Sequence, residues 1–235
     1  MAKPQFGIST ALYASQRLQR EHLLEIASHG FEAVEVVAAL GHVDSRNPAA
    51  IADLQQWLAE ARLDLHTVAV PPASPEGTAE SALHVARRIP VKVLALHVGA
   101  PKEAARTIER LAPEAAALEV TIAVDSRSES MTPIGSLAHF VEDGVDAQVG
   151  VALDFASAQK NGDLIDAIEM VSEHLAAVRV PVDGAVDWPS ALTTLRKVGY
   201  EGPLVLDVPP RGSPKERLRR AADMRRRLEK LIAER

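Results

Sequence analysis

Short apolar runs with β character alternate with longer segments of helical period along the whole chain. Runs of the first kind lie near Phe6 to Thr10, Ala33 to Val37, Leu63 to Val68, Val91 to Val98, Val120 to Val124, Gly150 to Leu153, Ala176 to Val180 and Leu204 to Val208. Each is followed by a stretch whose apolar residues recur at spacings of three and four, as in Leu54, Trp57, Leu58 and Ala61, the period of a helix with one buried face. Eight strand and helix pairs in strict alternation predict parallel βαβ units. They close more naturally into a single (β/α)8 barrel spanning residues 1–235 than into an open doubly wound sheet. Punctuation agrees. Gly30 ends the first helix, Asn47-Pro48 opens the second, Asp187 caps Trp188-Pro189, and Ser213-Pro214-Lys215-Glu216 reads as a capping box. Gly7-Ile8-Ser9-Thr10 lacks the GxGxxG spacing of a dinucleotide loop.

Composition narrows the function classes. The 235 residues are 47% hydrophobic and 25% charged, with a net charge of -6 and only 3% aromatics, so neither a phosphate-binding basic surface nor a base-stacking platform is expected. No nucleic-acid partner follows. Zero cysteines exclude disulfides, thiolate metal sites and a cysteine nucleophile. The start, Met1 to Gly7, has no apolar run behind its lysine, and no stretch approaches the ~20 apolar residues of a membrane helix. A cytoplasmic chain without membrane contact is expected, and an oligomer is compatible with the sequence.

In such a barrel the chemistry sits where strands end. Asp125-Ser126-Arg127, Asp154, Arg179 and Asp207 fall at the ends of strands five to eight, and carboxylates brought together there need a cation, shared protons or an arginine. Loop acids and helix caps would give the same spacing. Among eight histidines, His22, His84 and His174 fall in helices and His29 and His139 near helix ends, where they are structural or at the surface. His97, closing strand four, either faces the mouth and binds a substrate oxygen or hydrogen-bonds within the core. His42 with Asp44, after strand two, is either a substrate-gripping pair or a solvated one. The arginines of the last helix cover its exposed face, opposite Leu218, Ala221, Ala222 and Leu228.

Several stretches together resemble the xylose isomerase-like TIM barrels, a family of sugar phosphate isomerases and epimerases. They are Phe6 to Thr10, Glu21 to Glu35, His42 to Asp44 with Asn47-Pro48, and Leu96 to Gly99. Later come Val151 to Phe155, Gly162 to Glu169, Asp183 to Pro189 and Val198 to Asp207. The resemblance implies proton-transfer chemistry on a sugar or sugar phosphate at a divalent ion held by a Glu after strand five, an Asp after six, a His after seven and a Glu after eight. Carried over position by position, it implies Asp125, Asp154 and Asp207 as metal ligands and Asp125 and Asp207 as catalytic groups. His42, His97 and Arg179 would contact substrate.

The chain departs from that pattern. Two glutamates are aspartates, each retracted by ~1.5 Å, where metal distances tolerate ~0.2 Å. Arg179 stands near the place of the missing histidine, and Thr67-Val68-Ala69-Val70-Pro71 lacks the histidine usual at the end of strand three. The joins at Pro72 to Thr78 and Gly99 to Glu103 are short. The expectation is a degenerate site with no cofactor or a weakly bound Mn, Mg or Zn, in which an internal salt-bridge network replaces the metal. Metal-dependent isomerase or epimerase activity would be weakened or lost. The alternative is a noncatalytic scaffold or binding module from the same stock. A DNA-repair role would need several metal-binding histidines that the chain lacks.

Overall fold

The computed structural model describes residues 4–72, 77–131, 133–143 and 149–234. Eight parallel strands close in sequence order: β1 (Phe6–Ser9), β2 (Ala33–Val37), β3 (Asp64–Val70), β4 (Val93–Leu96), β5 (Thr121–Asp125), β6 (Val149–Asp154), β7 (Leu175–Pro181) and β8 (Leu204–Asp207). Pairing of Phe6 with Leu204 and Ile8 with Leu206 shuts the ring. The helices outside are α1 (Arg20–Ser28), α2 (Pro48–Ala61), α3 (Thr78–Val85), α4 (Pro101–Ala117), α5 (Ile134–Asp143), α6 (Phe155–Asn161), α7 (Leu164–Met170), α8 (Trp188–Lys197) and α9 (Pro214–Ala233). The chain is thus a (β/α)8 barrel, as the alternation predicts.

Differences from the predicted elements are local. Strand four is shorter than its apolar run because Val98 N–H leaves the ladder and donates to Ser128 Oγ at 3.0 Å. The helical stretch after strand six is two helices, since Gly162 adopts φ 169° and Asp163 caps a new start by accepting from Ile165 N and Asp166 N. The predicted caps at Asn47, Asp187 and Ser213 all accept from first-turn amides. Part of the short join at Pro72 to Thr78 lies outside the described residues.

Strand residues alternate between two buried environments, as a period of two requires. Ile8, Val34, Val36, Leu94, Ile122, Val124, Leu153, Val178 and Leu206 belong to the large cluster shared with the helices. The opposite parity is smaller. Ala69, Val93, Ala95, Ala123, Ala152 and Ala177 form a separate cluster inside the barrel. Near the barrel floor, on the same face of β6 as Ala152, Gly150 lets strands approach so closely that a Cβ there would lie 2.6 Å from Ala176 Cβ. Small inner side chains leave the lumen unfilled, and close packing then demands a large group from elsewhere. Arg179 supplies it, as the largest fully buried side chain of the protein.

Candidate functional site

The inner parity that brings Ala123, Ala152 and Ala177 into the lumen carries Asp125, Asp154 and Arg179 in above them, two residues further along β5, β6 and β7. Arg179 is 1% exposed. It reaches across the barrel. Its Nε donates to both carboxylate oxygens of Glu35 on β2, at 3.0 and 2.7 Å, and Nη1 donates to Asp125 Oδ2 at 2.9 Å. Nη2 lies 2.7 Å from Glu35 Oε2 as an ion pair without hydrogen-bond alignment. Ser9 Oγ on β1 donates to Glu35 Oε1 at 2.9 Å. One guanidinium therefore joins β1 and β2 through Glu35 to β5.

The turn after β5 adds a second cation. Arg127 donates from its backbone N to Asp125 Oδ1 at 2.9 Å, and from Nη2 to Oδ2 at 2.7 Å. Its Nη1 lies 3.8 Å from Asp207, and its side chain is 39% exposed. The same turn is tied to its neighbours: Ser126 Oγ accepts from Asp154 N at 2.8 Å, and Ser128 Oγ accepts from the end of β4. Short polar side chains at strand ends thus fix Arg127 over the axis.

Charge follows this geometry. Burial alone would raise the pKa of Asp125, but the Arg179 and Arg127 guanidiniums override it and hold it at about 2. Burial depresses Arg179 less than Glu35 and Asp125 raise it, so it stays charged. Asp154 has no such cation bound to it. Burial raises its pKa to about 6, although its carboxylate accepts from Ser157 N at the start of α6. Asp207 is also raised by burial.

Asp154 is therefore a stability handle. Its folded pKa exceeds its unfolded value, so its contribution is complete below about pH 4 and is lost as pH rises through about 6. Asp154→Asn keeps the helix cap and removes the buried charge. The variant is expected to gain about 1–2 kcal/mol at pH 8 and nothing at pH 4. Urea unfolding at both values checks this; an equal difference at both would assign the effect elsewhere.

The remaining sequence candidates fall in different places. His42 is 2% exposed, with both ring nitrogens engaged: Nδ1 is 2.9 Å from Gln16 O, and Nε2 is 2.9 Å from Thr10 Oγ1. Thr10 Oγ1 itself accepts from Val37 N, so the hydroxyl donates to Nε2 and Nδ1–H donates to the carbonyl. The ring pins the loop after β2. Asp44 accepts from Arg46 N at 3.1 Å. No hydrogen bond joins His42 to Asp44. His97 is half-buried just past β4, and its backbone N donates to Val70 O at 3.1 Å. The structure gathers Asp125, Asp154, Arg179 and Asp207, and adds Glu35 and Arg127, to which the sequence assigned no role.

The resemblance implies a divalent ion at this site, held by carboxylates with free oxygens. Asp125 has both oxygens engaged by guanidiniums, and Arg179 is a fixed positive charge between the two most buried carboxylates. No imidazole joins them, and among the described residues no three His, Asp or Glu side chains are placed to hold a metal. These cations repel a divalent ion and occupy the carboxylate of Asp125, one of the three ligands that the resemblance implies. These residues do not fit it.

Comparison with known proteins bears on the fold. Solved structures align over almost the full chain: a xylose isomerase domain protein from Planctomyces limnophilus, 19% identical over 100% of both chains with a TM-score of 0.76; a xylose isomerase-like TIM barrel protein from Mycobacterium smegmatis in complex with magnesium, 12% identical over 98% and 97% with a TM-score of 0.79; and D-psicose 3-epimerase with D-tagatose from Clostridium cellulolyticum H10, 15% identical over 97% of each with a TM-score of 0.73. Sequence comparison with curated proteins gives no match. The sequence model described as xylose isomerase-like TIM barrel matches residues 23–228, and the chain belongs to that family.

Proposed function

We propose that this protein is a sugar isomerase or epimerase-type barrel in which metal-dependent activity is weakened or lost. A small sugar or sugar phosphate would be its ligand, received at the carboxyl ends of the strands. The observation that carries the reading is the Glu35–Arg179–Asp125 bridge, which sets a guanidinium where a metal centre would need free carboxylates. What remains facing the mouth is Arg127 Nη1, with the carboxylates of Asp207 and Asp154 near it. A cleft of about 200 Å³ lies on the far side of Ser126 and Ser157 and is lined also by Met131, Ile134, Asn161 and Met170; Arg127, Asp154 and Asp207 are not part of its wall. Arginine and carboxylate side chains suit the hydroxyl and carbonyl groups of a sugar.

In this reading Asp125 acts by holding Arg127 and Arg179, Asp207 is the group nearest to proton transfer, and His97 is a substrate contact. A cytoplasmic location accords with the absence of cysteine. Among the described residues no helix is long and apolar enough to cross a membrane.

The test is elemental analysis of protein purified without chelator, joined to proton NMR of ketohexoses in deuterium oxide. The expected result is far less than one equivalent of Mn, Mg or Zn, with no metal-stimulated deuterium uptake at the carbon beside the carbonyl. One bound equivalent, or turnover abolished by chelator, would overturn it. A second reading, a binding module without turnover, is favoured by Arg179 filling the lumen. A sugar-induced rise in melting temperature with no deuterium uptake, metal present or absent, would select it.

A further inference from the structure

Resting on the reading of the mouth as a sugar site, we infer that its ligand carries no phosphate. In a (β/α)8 barrel a phosphate is commonly held by the loops after strands seven and eight and by amides at a helix start, where backbone N–H groups and the helix dipole favour an anion. Here caps from the chain itself, carboxylates among them, occupy part of those donors. At the start of α8, Trp188 N donates to Val186 O at 2.9 Å, Pro189 has no N–H, and Ser190 N donates to Asp187 Oδ1 at 3.2 Å. Asp187 Oδ2 also accepts from Ser190 Oγ at 2.6 Å.

The start of α9 is filled in the same way. Pro214 offers no N–H, Glu216 N donates to Ser213 Oγ at 3.3 Å, and Glu216 Oε2 folds back to accept from Ser213 N at 2.8 Å. At α6 the cap is Asp154, which takes Ser157 N at 2.7 Å. The starts of α6, α8 and α9, after β6, β7 and β8, therefore each present a carboxylate where an anion would sit. Asp207, at the end of β8, adds another.

Lys215, in the first turn of α9, is an exposed cation facing solvent, and the other cations on this arc are mostly committed. Arg220 is tied to Asp183, and Arg179 is enclosed. Arg211, exposed in the loop after β8, is a single solvated charge. Arg127 Nη1 and Asp207, 3.8 Å apart, suit adjacent hydroxyls, one oxygen accepting from the guanidinium and the next hydroxyl donating to the carboxylate. An uncharged polyol satisfies both groups. A phosphate dianion satisfies the arginine and is opposed by Asp207, Asp154 and the capping carboxylates.

The experiment is calorimetric titration of the full chain with four ketohexoses, with their 6-phosphates, and with inorganic phosphate as competitor, at constant ionic strength. The expected result is a measurable Kd for at least one free sugar, at least tenfold weaker binding of its phosphate ester, and no competition by inorganic phosphate. The variant carrying Asp187→Asn and Glu216→Gln keeps neutral caps on both helices. It is expected to narrow the discrimination at least threefold while leaving affinity for the free sugar unchanged. A phosphate ester that binds as tightly as the sugar, or tighter, would overturn the inference and leave the sugar reading standing. Unchanged discrimination in the double variant would also overturn it. Binding of neither class would overturn both.

Discussion

Arg179→Met is expected to destabilise the protein by about 3–5 kcal/mol, the largest effect of any single change at the mouth. Methionine replaces the aliphatic stem but not the guanidinium, so the loss combines charge, hydrogen bonding and the volume that the guanidinium fills. Glu35 would be left buried with Ser9 as its hydrogen-bond donor, and Asp125 would keep only Arg127. An isolated carboxylate in a dry lumen is far costlier than a paired one. A companion change separates this cost from the worth of the bridge: Arg179→Met with Glu35→Leu removes the orphaned charge and should recover part of the loss, because well-packed apolar groups can replace a buried ion pair. Arg179→Lys should fall between, since a point charge cannot fork to two carboxylates on opposite walls. Urea unfolding at pH 7 measures all three. A single variant within about 1 kcal/mol of the parent, or a double variant worse than the single one, would remove the bridge from its proposed place.

The second large effect is expected at the opposite end of the barrel. Gly150→Val should cost about 3 kcal/mol, at the upper range for overpacking. A Cβ at this position meets Ala176 Cβ at 2.6 Å, Thr121 Cγ2 at 3.0 Å and the carbonyl of His174 at 3.2 Å. Two of these contacts belong to strand residues with no flexible end to move aside, and the third is backbone. Gly7→Ala makes a useful control, because its nearest contact is a Val205 methyl at 3.2 Å and its cost should be smaller. Gly150 lies at the amino-terminal end of β6, where barrel residues serve stability and not chemistry. Sugar affinity of the refolded variant should therefore equal that of the parent, in contrast to Arg127→Ala, which should weaken it at least tenfold. Chemical denaturation and the titration described above check both halves.

The barrel was legible because its signal repeats. Eight apolar runs, each followed by helical spacing, leave few alternative topologies, and caps such as Asn47 and Ser213 are local devices that work without tertiary context. The acids at strand ends were legible for the same reason: position along a strand fixes the end of the barrel to which a residue belongs. Partners were not legible. Glu35 sits in the run Ala33-Val34-Glu35-Val36-Val37, and nothing local says that its charge meets an arginine 144 positions later. The signal available was energetic: a glutamate in the middle of a buried strand must be neutralised, and Arg179 in another buried strand was the complementary anomaly. His42 failed in the other direction. Loop position suggested contact with substrate, whereas its ring is consumed by Thr10 and Gln16, contacts set by how the loop after β2 folds back over the start of the chain. Arg127 was visible beside Asp125, but its orientation depends on Ser126 and Ser128 tying the turn to adjacent strands.

The bridge through Arg179 also bears on the order of assembly. A nascent chain or fragment that ends before β7 contains Glu35 and Asp125 on the inner faces of their strands without the cation that joins them. Such a fragment can gather β1 to β5, but closing them around a dry interior would enclose Glu35 without a cation and leave Asp125 with Arg127 alone, so water must stay beside Glu35 until Arg179 arrives. The lining of alanines sharpens the point, because side chains that small cannot expel water unaided. Drying of the lumen is thus a late event, coupled to docking of the last quarter of the chain, and the two halves of this barrel are poor candidates for independent existence.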